Sequence, residues 1–208
     1  MIATETAASH YVEFACVPET DISTGFLMGR LMHAVHLTLV NATPPGERCP
    51  IGVTFPGYQM RPPGGRRFNA SHPPIGDRLR LFAHDAAVLE SLPWGRSLVG
   101  MDDYLDRTAA RPIERVDRYA IYSRRQPSGS VGRKIRRAMR RHGLTEAEAS
   151  ARYADYRAGD CDLPYVDMRS ESNGHRFRLF IDRRDGEPGP VWGFSTYGLS
   201  GDVALPEF

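Results

Sequence analysis

Between Arg118 and His142 the chain carries nine basic residues and no acidic one, a run that limits the fold more than any other feature. Within its second half, Val131, Ile135, Ala138 and Met139 fall at the i, i+4, i+7, i+8 spacing of one helical stripe, and Arg133, Arg136, Arg137, Arg140 and Arg141 fall on the opposite side. The segment is expected as a surface helix with one narrow apolar contact line, capped by Ser128 or Ser130 and ended by Gly143. Five like charges over three turns repel one another, and no glutamate one turn away offsets them. Removing these nine from the 27 basic residues leaves 18 against 25 acidic ones, so a chain of net charge +2 hides a strongly segregated distribution. A polyanion along the helix relieves the repulsion, because forked guanidiniums suit the phosphates of a nucleic-acid groove. A solvated face or an acidic protein partner are the alternatives. Lys134 is the only lysine, which a GC-rich genome explains as well as chemistry does; the clustering is the stronger signal.

The remainder reads as alternating short elements. His10 to Val17 alternates apolar and polar as a strand does, and Gly25 to Val40 carries Leu27, Leu31, Ala34, Val35 and Thr38 at helical spacing. Strands are expected at Ile51 to Phe55, Arg78 to Phe82 and Arg96 to Gly100, with a short helix from Asp85 to Ser91 before the last. That β-α-β-β-α-β order is the ferredoxin-like (RRM-like) arrangement. Gly57 to Gly76, rich in Pro and Gly, is expected as a basic surface loop. A second unit is expected from Ile113: a strand over Arg115 to Arg124, the arginine-rich helix, a helix opened by the capping box Thr145 to Glu148, then strands at Tyr165 to Ser170, Arg176 to Ile181 and Trp192 to Tyr197. Asp185-Gly186 is expected to turn the chain between the last two. The fold class is thus α+β: an N-terminal ferredoxin-like domain over 1–112 and a C-terminal α+β domain over 113–208 with an arginine-rich helix and a β-hairpin.

Three dispersed cysteines suggest neither a disulfide framework nor a cysteine zinc site, and no apolar run is long enough to span a membrane. A cytoplasmic protein without a secretory leader is expected, and the two glycosylation sequons, at Asn41 and Asn69, are chance matches. No dinucleotide fingerprint or other cofactor motif is present, and His33 with His36, three apart and lacking a carboxylate beside them, make a poor metal pair.

Several segments together resemble one family, the CRISPR-associated endoribonuclease of type I-F systems, which cuts the repeat hairpins of precursor guide RNA in antiviral defence. LMGRLMHAVHLTLV (Leu27 to Val40) resembles its first helix with the catalytic histidine, and IGVTFP (Ile51 to Pro56) its second strand. YSRRQ (Tyr122 to Gln126) resembles the base-reading linker, and RRAMRRHGLTEAEA (Arg136 to Ala149) the groove helix and its successor. LPYVDMRSESNGHRFRLFI (Leu163 to Ile181) and GFSTYGLS (Gly193 to Ser200) resemble the two active-site strands. The resemblance implies His36 as the catalytic histidine, with His33 one turn before it as the alternative. It further implies Ser170 as the ribose-positioning serine, Ser172 as a second serine nearby, Tyr197 as the active-site tyrosine and Phe177 as a stacking aromatic. Arg124 and Gln126 are implied to read bases at the foot of the hairpin, beside Arg133, Arg136, Arg137, Arg140 and Arg141 in the groove. Lys134-Ile135, the loop from Gly57 to Gly76 and the Leu205-Pro206-Glu207-Phe208 ending depart from the family's pattern.

What the family implies is a metal-independent ribonuclease in which the RNA's own 2′-hydroxyl is the nucleophile. Its products are a 5′-hydroxyl and a 2′,3′-cyclic phosphate. The partners implied are the crRNA repeat hairpin and other Cas subunits of a surveillance complex, with no membrane. A non-catalytic RNA-hairpin-binding subunit is the alternative, and a DNA-binding or acidic-protein adaptor a third reading. On the residues alone, a histidine such as His36 is more often a packed or capped helix residue than a catalyst, Tyr197 is a core-edge aromatic, Phe177 a core residue and Ser170 a sheet-edge hydroxyl.

Overall fold

The alternation read in the first strand is the alternation found. In β1 (His10–Cys16), Val12, Phe14 and Cys16 are buried. The structure, a computed structural model, describes residues 8–60, 75–127, 131–155, 161–171 and 173–208. β1 pairs antiparallel with β3 (Arg78–Ala83) along one edge and with β4 (Leu105–Arg107) and β5 (Arg111–Pro112) along the other. β2 (Gly52–Thr54) pairs with the far side of β3, so the main path of this sheet is β2-β3-β1-β4. A second antiparallel sheet runs β7 (Tyr165–Arg169), β8 (Arg176–Asp185), β6 (Arg118–Arg125), β9 (Leu205–Glu207). The expected α+β class with antiparallel sheets is therefore what the chain adopts.

The long helix α1 (Thr24–Ala42) starts at Ser23, whose hydroxyl accepts from the Phe26 N–H. It buries Met28, Met32 and Leu39 as well as the stripe visible in the sequence. The wider apolar arc exists because α1 packs against β7 of the second sheet as well as β1 of the first. One continuous core follows. Val166, Met168, Leu179, Ile181 and Leu205 from the second sheet share it with Val12, Phe14, Val53 and Leu81 from the first. The chain accordingly does not divide at 112/113. The described parts of Met1–Arg125 and Leu163–Phe208 make one compact unit, and Gln126–Asp162 makes the other.

Two expected strands are absent. Arg96 to Gly100 lies instead in and just after the short helix α3 (Trp94–Ser97), which follows α2 (Ala86–Glu90). Pro93 restricts the backbone ahead of it, and Trp94 is buried edge-on to Phe14 at 5.2 Å, so the indole is drawn into the core and the chain turns there. The strand after it begins only at Leu105, behind the 3₁₀ turn Asp102–Tyr104. Trp192 to Tyr197 forms a single bridge, Cys49 with Phe194, and then a turn. Asp185 still belongs to β8, and Gly186 N–H bonds the Tyr119 carbonyl, so the chain does not double back at Asp185-Gly186. The fourth strand of that sheet is β9, which pairs with β6 from Arg118↔Glu207 to Ala120↔Leu205.

In the smaller unit, α4 (Val131–His142) and α5 (Glu146–Arg152) form as expected, with the capping box at Thr145 and Glu148 complete. Ala138 and Ala149 are buried, small residues that let the two helices meet closely. The caps expected at Ser128 or Ser130 and residues 61–74 of the proline-rich loop lie outside the described residues.

Candidate active site

Gly29, His33 and His36 stand at i, i+4 and i+7 on α1 and share one side of it. A Cβ at Gly29 would sit 2.7 Å from the Asp167 carbonyl oxygen of β7, so only glycine permits this approach of helix to strand. One turn on, His33 Nε2 lies 2.9 Å from Glu171 Oε1, just past the end of β7. A turn later, His36 Nδ1 lies 2.9 Å from the Thr196 carbonyl oxygen, and the imidazole stacks on the Tyr197 ring at 3.9 Å and 5°.

The turn that supplies Thr196 and Tyr197 is fixed from three sides. Gly198 N–H donates to Ser195 O, Val53 N–H of β2 donates to Gly198 O, and Ser200 N–H donates to Tyr122 O of β6. Gly198 has φ +69°, and a Cβ there would collide with the Val53 side chain. Upstream, Phe194 and Cys49 exchange both backbone hydrogen bonds at 2.9 Å. The position of the tyrosine is thus set by backbone pairing, and the histidine's by the helix.

A carbonyl oxygen can only accept, so His36 Nδ1 carries the hydrogen and Nε2 is left with its lone pair. No hydrogen bond occupies Nε2 among the described residues. The imidazole's pKa lies below its ordinary 6.5, chiefly through burial; the Thr196 bond opposes this, while the charges of His33 and Arg124 lower it further. His33 is placed differently. Its Nε2 is engaged by Glu171, and its Nδ1 is buried without a hydrogen-bond partner among the described residues, so neither nitrogen is offered to a substrate. Of the two helix histidines, His36 has the free nitrogen.

Arg124, near the end of β6, lies over the same aromatic group, its guanidinium carbon 5.3 Å from the Tyr197 centroid and 5.9 Å from that of Phe177. The structure therefore brings His36, Tyr197, Phe177 and Arg124 together. Ser170 follows the last residue of β7 and immediately precedes Glu171, with its N–H on the His175 carbonyl. Ser172 lies outside the described residues. Gln126 is exposed and belongs to the smaller unit, as do Arg133, Arg136, Arg137, Arg140 and Arg141. These five arginines make no ion pair among the described residues. Sequence reasoning missed the Thr196 carbonyl, Glu171 and the two glycines. Only the glycines left a signal, Gly29 as a glycine inside a helical pattern and Gly198 as a break directly after the tyrosine.

Among the described residues no group of three or more His, Cys, Asp or Glu could hold a metal ion, and no helix is long and apolar enough to cross a membrane.

Residues 11–208 match the family model of the CRISPR-associated protein (Cas_Csy4). The CRISPR-associated endonuclease Cas6/Csy4 of Escherichia coli (strain UTI89 / UPEC) is 32% identical over 202 residues, which cover 96% of this chain and 99% of that protein. Its namesake in Pseudomonas aeruginosa (strain UCBPP-PA14) is 34% identical over 207 residues, again 96% and 99%. Among solved structures, a Cas6 product complex aligns over 92% of this chain and 88% of that one at 12% identity, with a TM-score of 0.22.

Proposed function

The chain belongs to the Csy4 family of CRISPR-associated proteins, and from that premise we propose that it is an endoribonuclease that cuts the repeat stem-loops of precursor crRNA. The observation that carries the chemistry is the hold on His36: Nδ1–H fixed by the Thr196 carbonyl, the ring stacked on Tyr197, and Nε2 left open. A neutral imidazole with a lowered pKa is a general base at neutral pH. In this reading Nε2 takes the proton of a ribose 2′-hydroxyl, which attacks the adjacent phosphorus. The bond from phosphorus to the 5′-oxygen breaks, and the protonated imidazole returns a proton to that leaving oxygen. The products are a 2′,3′-cyclic phosphate and a 5′-hydroxyl, and no step draws on a metal ion. Ser170 holds the ribose, Ser172 assists nearby, and Tyr197 keeps the imidazole in plane.

Recognition falls to Arg124 and Gln126 at the closing bases, Phe177 as a stacking platform, and the arginine face of α4 along the stem. About five phosphate contacts imply a salt slope near −4.5 and slow release of the cut hairpin. Such retention suits a subunit that stays on its crRNA within a complex of other Cas proteins. The strand order β2-β3-β1-β4 supports a ferredoxin-like reading of the first sheet. In functional terms, 1–112 supplies the histidine and 113–208 the RNA contacts.

Labelled type I-F repeat hairpins incubated in EDTA test this. Cleavage at the 3′ foot of the stem is expected, abolished by His36→Ala and by a 2′-deoxy substitution at the cut position. Tight binding with no cutting by the wild type would make the protein a hairpin-binding subunit instead.

A further inference from the structure

The helix that carries His36 meets β7 and the turn after it at two points, in the same order along both. At the first, Gly29 lies against the Asp167 carbonyl, backbone to backbone. Four residues further along each, contact passes to side chains, with His33 Nε2 at 2.9 Å from Glu171 Oε1. Each partner of this second tie adjoins a residue of the candidate site. His36 stands one turn beyond His33, and Ser170 immediately precedes Glu171. Ser170 also continues the two-residue spacing of Val166 and Met168, which are buried in the core that α1 shares, and is itself half-buried.

The tie differs from an incidental surface pair. A carboxylate only accepts, so His33 Nε2 carries a hydrogen, and Nδ1 is left buried with no hydrogen-bond partner among the described residues. A bare buried nitrogen is unfavourable, which makes histidine a poor residue for simply filling this position; what it supplies is the nitrogen that reaches Glu171. Three other bonds act within the hairpin: Ser170 N–H to His175 O, Gly174 N–H to Ser170 O, and His175 N–H to Asn173 Oδ1. They fix the turn to itself, and the His33–Glu171 bond fixes it to α1.

We propose that Glu171, acting through His33, is a positioning residue of the cleavage reaction, holding the Ser170 end of the β7–β8 hairpin at the distance from α1 at which Ser170 and His36 act on one ribose. The proposal rests on the RNA-cleaving reading above. Neither partner touches the substrate in this role. In-line attack tolerates little misplacement of the groups around the nucleophile, so a partly exposed bond that matters little to folding has leverage on the rate. The bond, and not the charge, is what the role needs: a glutamine carbonyl would accept the same Nε2–H.

The test uses the full chain, a repeat hairpin whose single strand runs through the cut position, and its 2′-deoxy counterpart for binding. Single-turnover cleavage at saturating enzyme and about pH 8 is expected to slow about fivefold in Glu171→Ala, with the affinity for the 2′-deoxy hairpin and the melting temperature unchanged. Glu171→Gln, which keeps the acceptor and removes the charge, is expected to cleave within about twofold of the wild type. His33→Ala/Glu171→Ala should be no slower than the slower of its two single variants, because the residues act as one bond. Wild-type cleavage by Glu171→Ala, or a loss that lies in RNA binding instead of rate, would overturn the positioning role. So would a Glu171→Gln protein as slow as Glu171→Ala, which would make charge the cause. A wild type that binds the hairpin and leaves it uncut would sink the RNA-cleaving reading itself, and the role with it.

Discussion

Burial lowers the pKa of His36, helped by the charge interactions with His33 and Arg124, and the sign of that shift has a kinetic consequence. A general base works deprotonated, so the single-turnover cleavage rate should be flat above neutrality and fall tenfold per pH unit only below a midpoint that lies under 6.5. Arg124→Ala removes one of the lowering charges, and the acid limb should move up toward 6.5 at saturating enzyme. A limb that stays in place would mean that Arg124 does not act on the imidazole. His33→Ala should reduce the rate by less than about tenfold, because its Nε2 is spent on Glu171 in a partly exposed pair, with side-chain exposures of 25% and 63%. His36→Ala should cost about 10²-fold or more. The sequence could not separate these two histidines by spacing, since both lie on the same side of one helix. What separates them is a carbonyl 160 residues away in the chain and a carboxylate 138 away.

At the scale of elements, periodicity served where one face decides the structure and failed where special backbone geometry does. The helix α4 was legible because its apolar stripe and its arginines repeat every three or four residues. The segment Trp192 to Tyr197 has the aromatic content of a strand, yet Gly193 and Gly198 take φ +136° and +69°, conformations that end a ladder. Gly198 also closes the turn that presents the Thr196 carbonyl. Gly198→Ala should therefore lower stability by about 1–3 kcal/mol, from strained backbone and the clash with Val53, and should depress cleavage beyond what the stability loss explains. The comparison to make is urea denaturation beside single-turnover rate at a temperature where the variant is folded. Gly29→Ala makes a contrast: a methyl 2.7 Å from a backbone oxygen forces α1 away from β7, with a loss of about 1–3 kcal/mol. Normal rate in a folded Gly29→Ala protein would show that the helix–strand spacing does not set the site.

For the whole molecule, the boundary expected at 112/113 failed because a one-dimensional pattern cannot show that α1 packs against both sheets. The Leu205-Pro206-Glu207-Phe208 ending is the other part that sequence left dark, since a proline-containing run of four has no strand alternation. It proves to be a tie between the sheets of the larger unit. Glu207 Oε1 accepts from the Tyr122 hydroxyl at 2.6 Å and from Arg183 Nε at 2.9 Å, while Oε2 accepts from Arg183 and from Arg118, each at 2.6 Å. Arg80 of β3 donates to the Phe208 carbonyl at 2.8 Å and lies over its ring at 4.1 Å. Burial alone would raise the carboxyl's pKa, but the hydrogen bonds from Arg183, Tyr122 and Arg118 outweigh it and bring the value from 4.5 to about 2. A folded-state pKa below the unfolded one means the contribution is complete above pH 4.5 and disappears as the pH falls toward 2. Glu207→Gln should lose about 3 kcal/mol at pH 7, because two guanidiniums and a buried phenol then face an amide, and its stability should change less than the wild type's between pH 4.5 and 2. Urea titrations at pH 7 and from pH 4.5 down to 2 check both expectations. The shared core adds a third: the two sheets should still melt in one transition, and a variant in which β6, β8 and β9 unfold ahead of the first sheet would show that Glu207, and not the apolar core around α1, couples them.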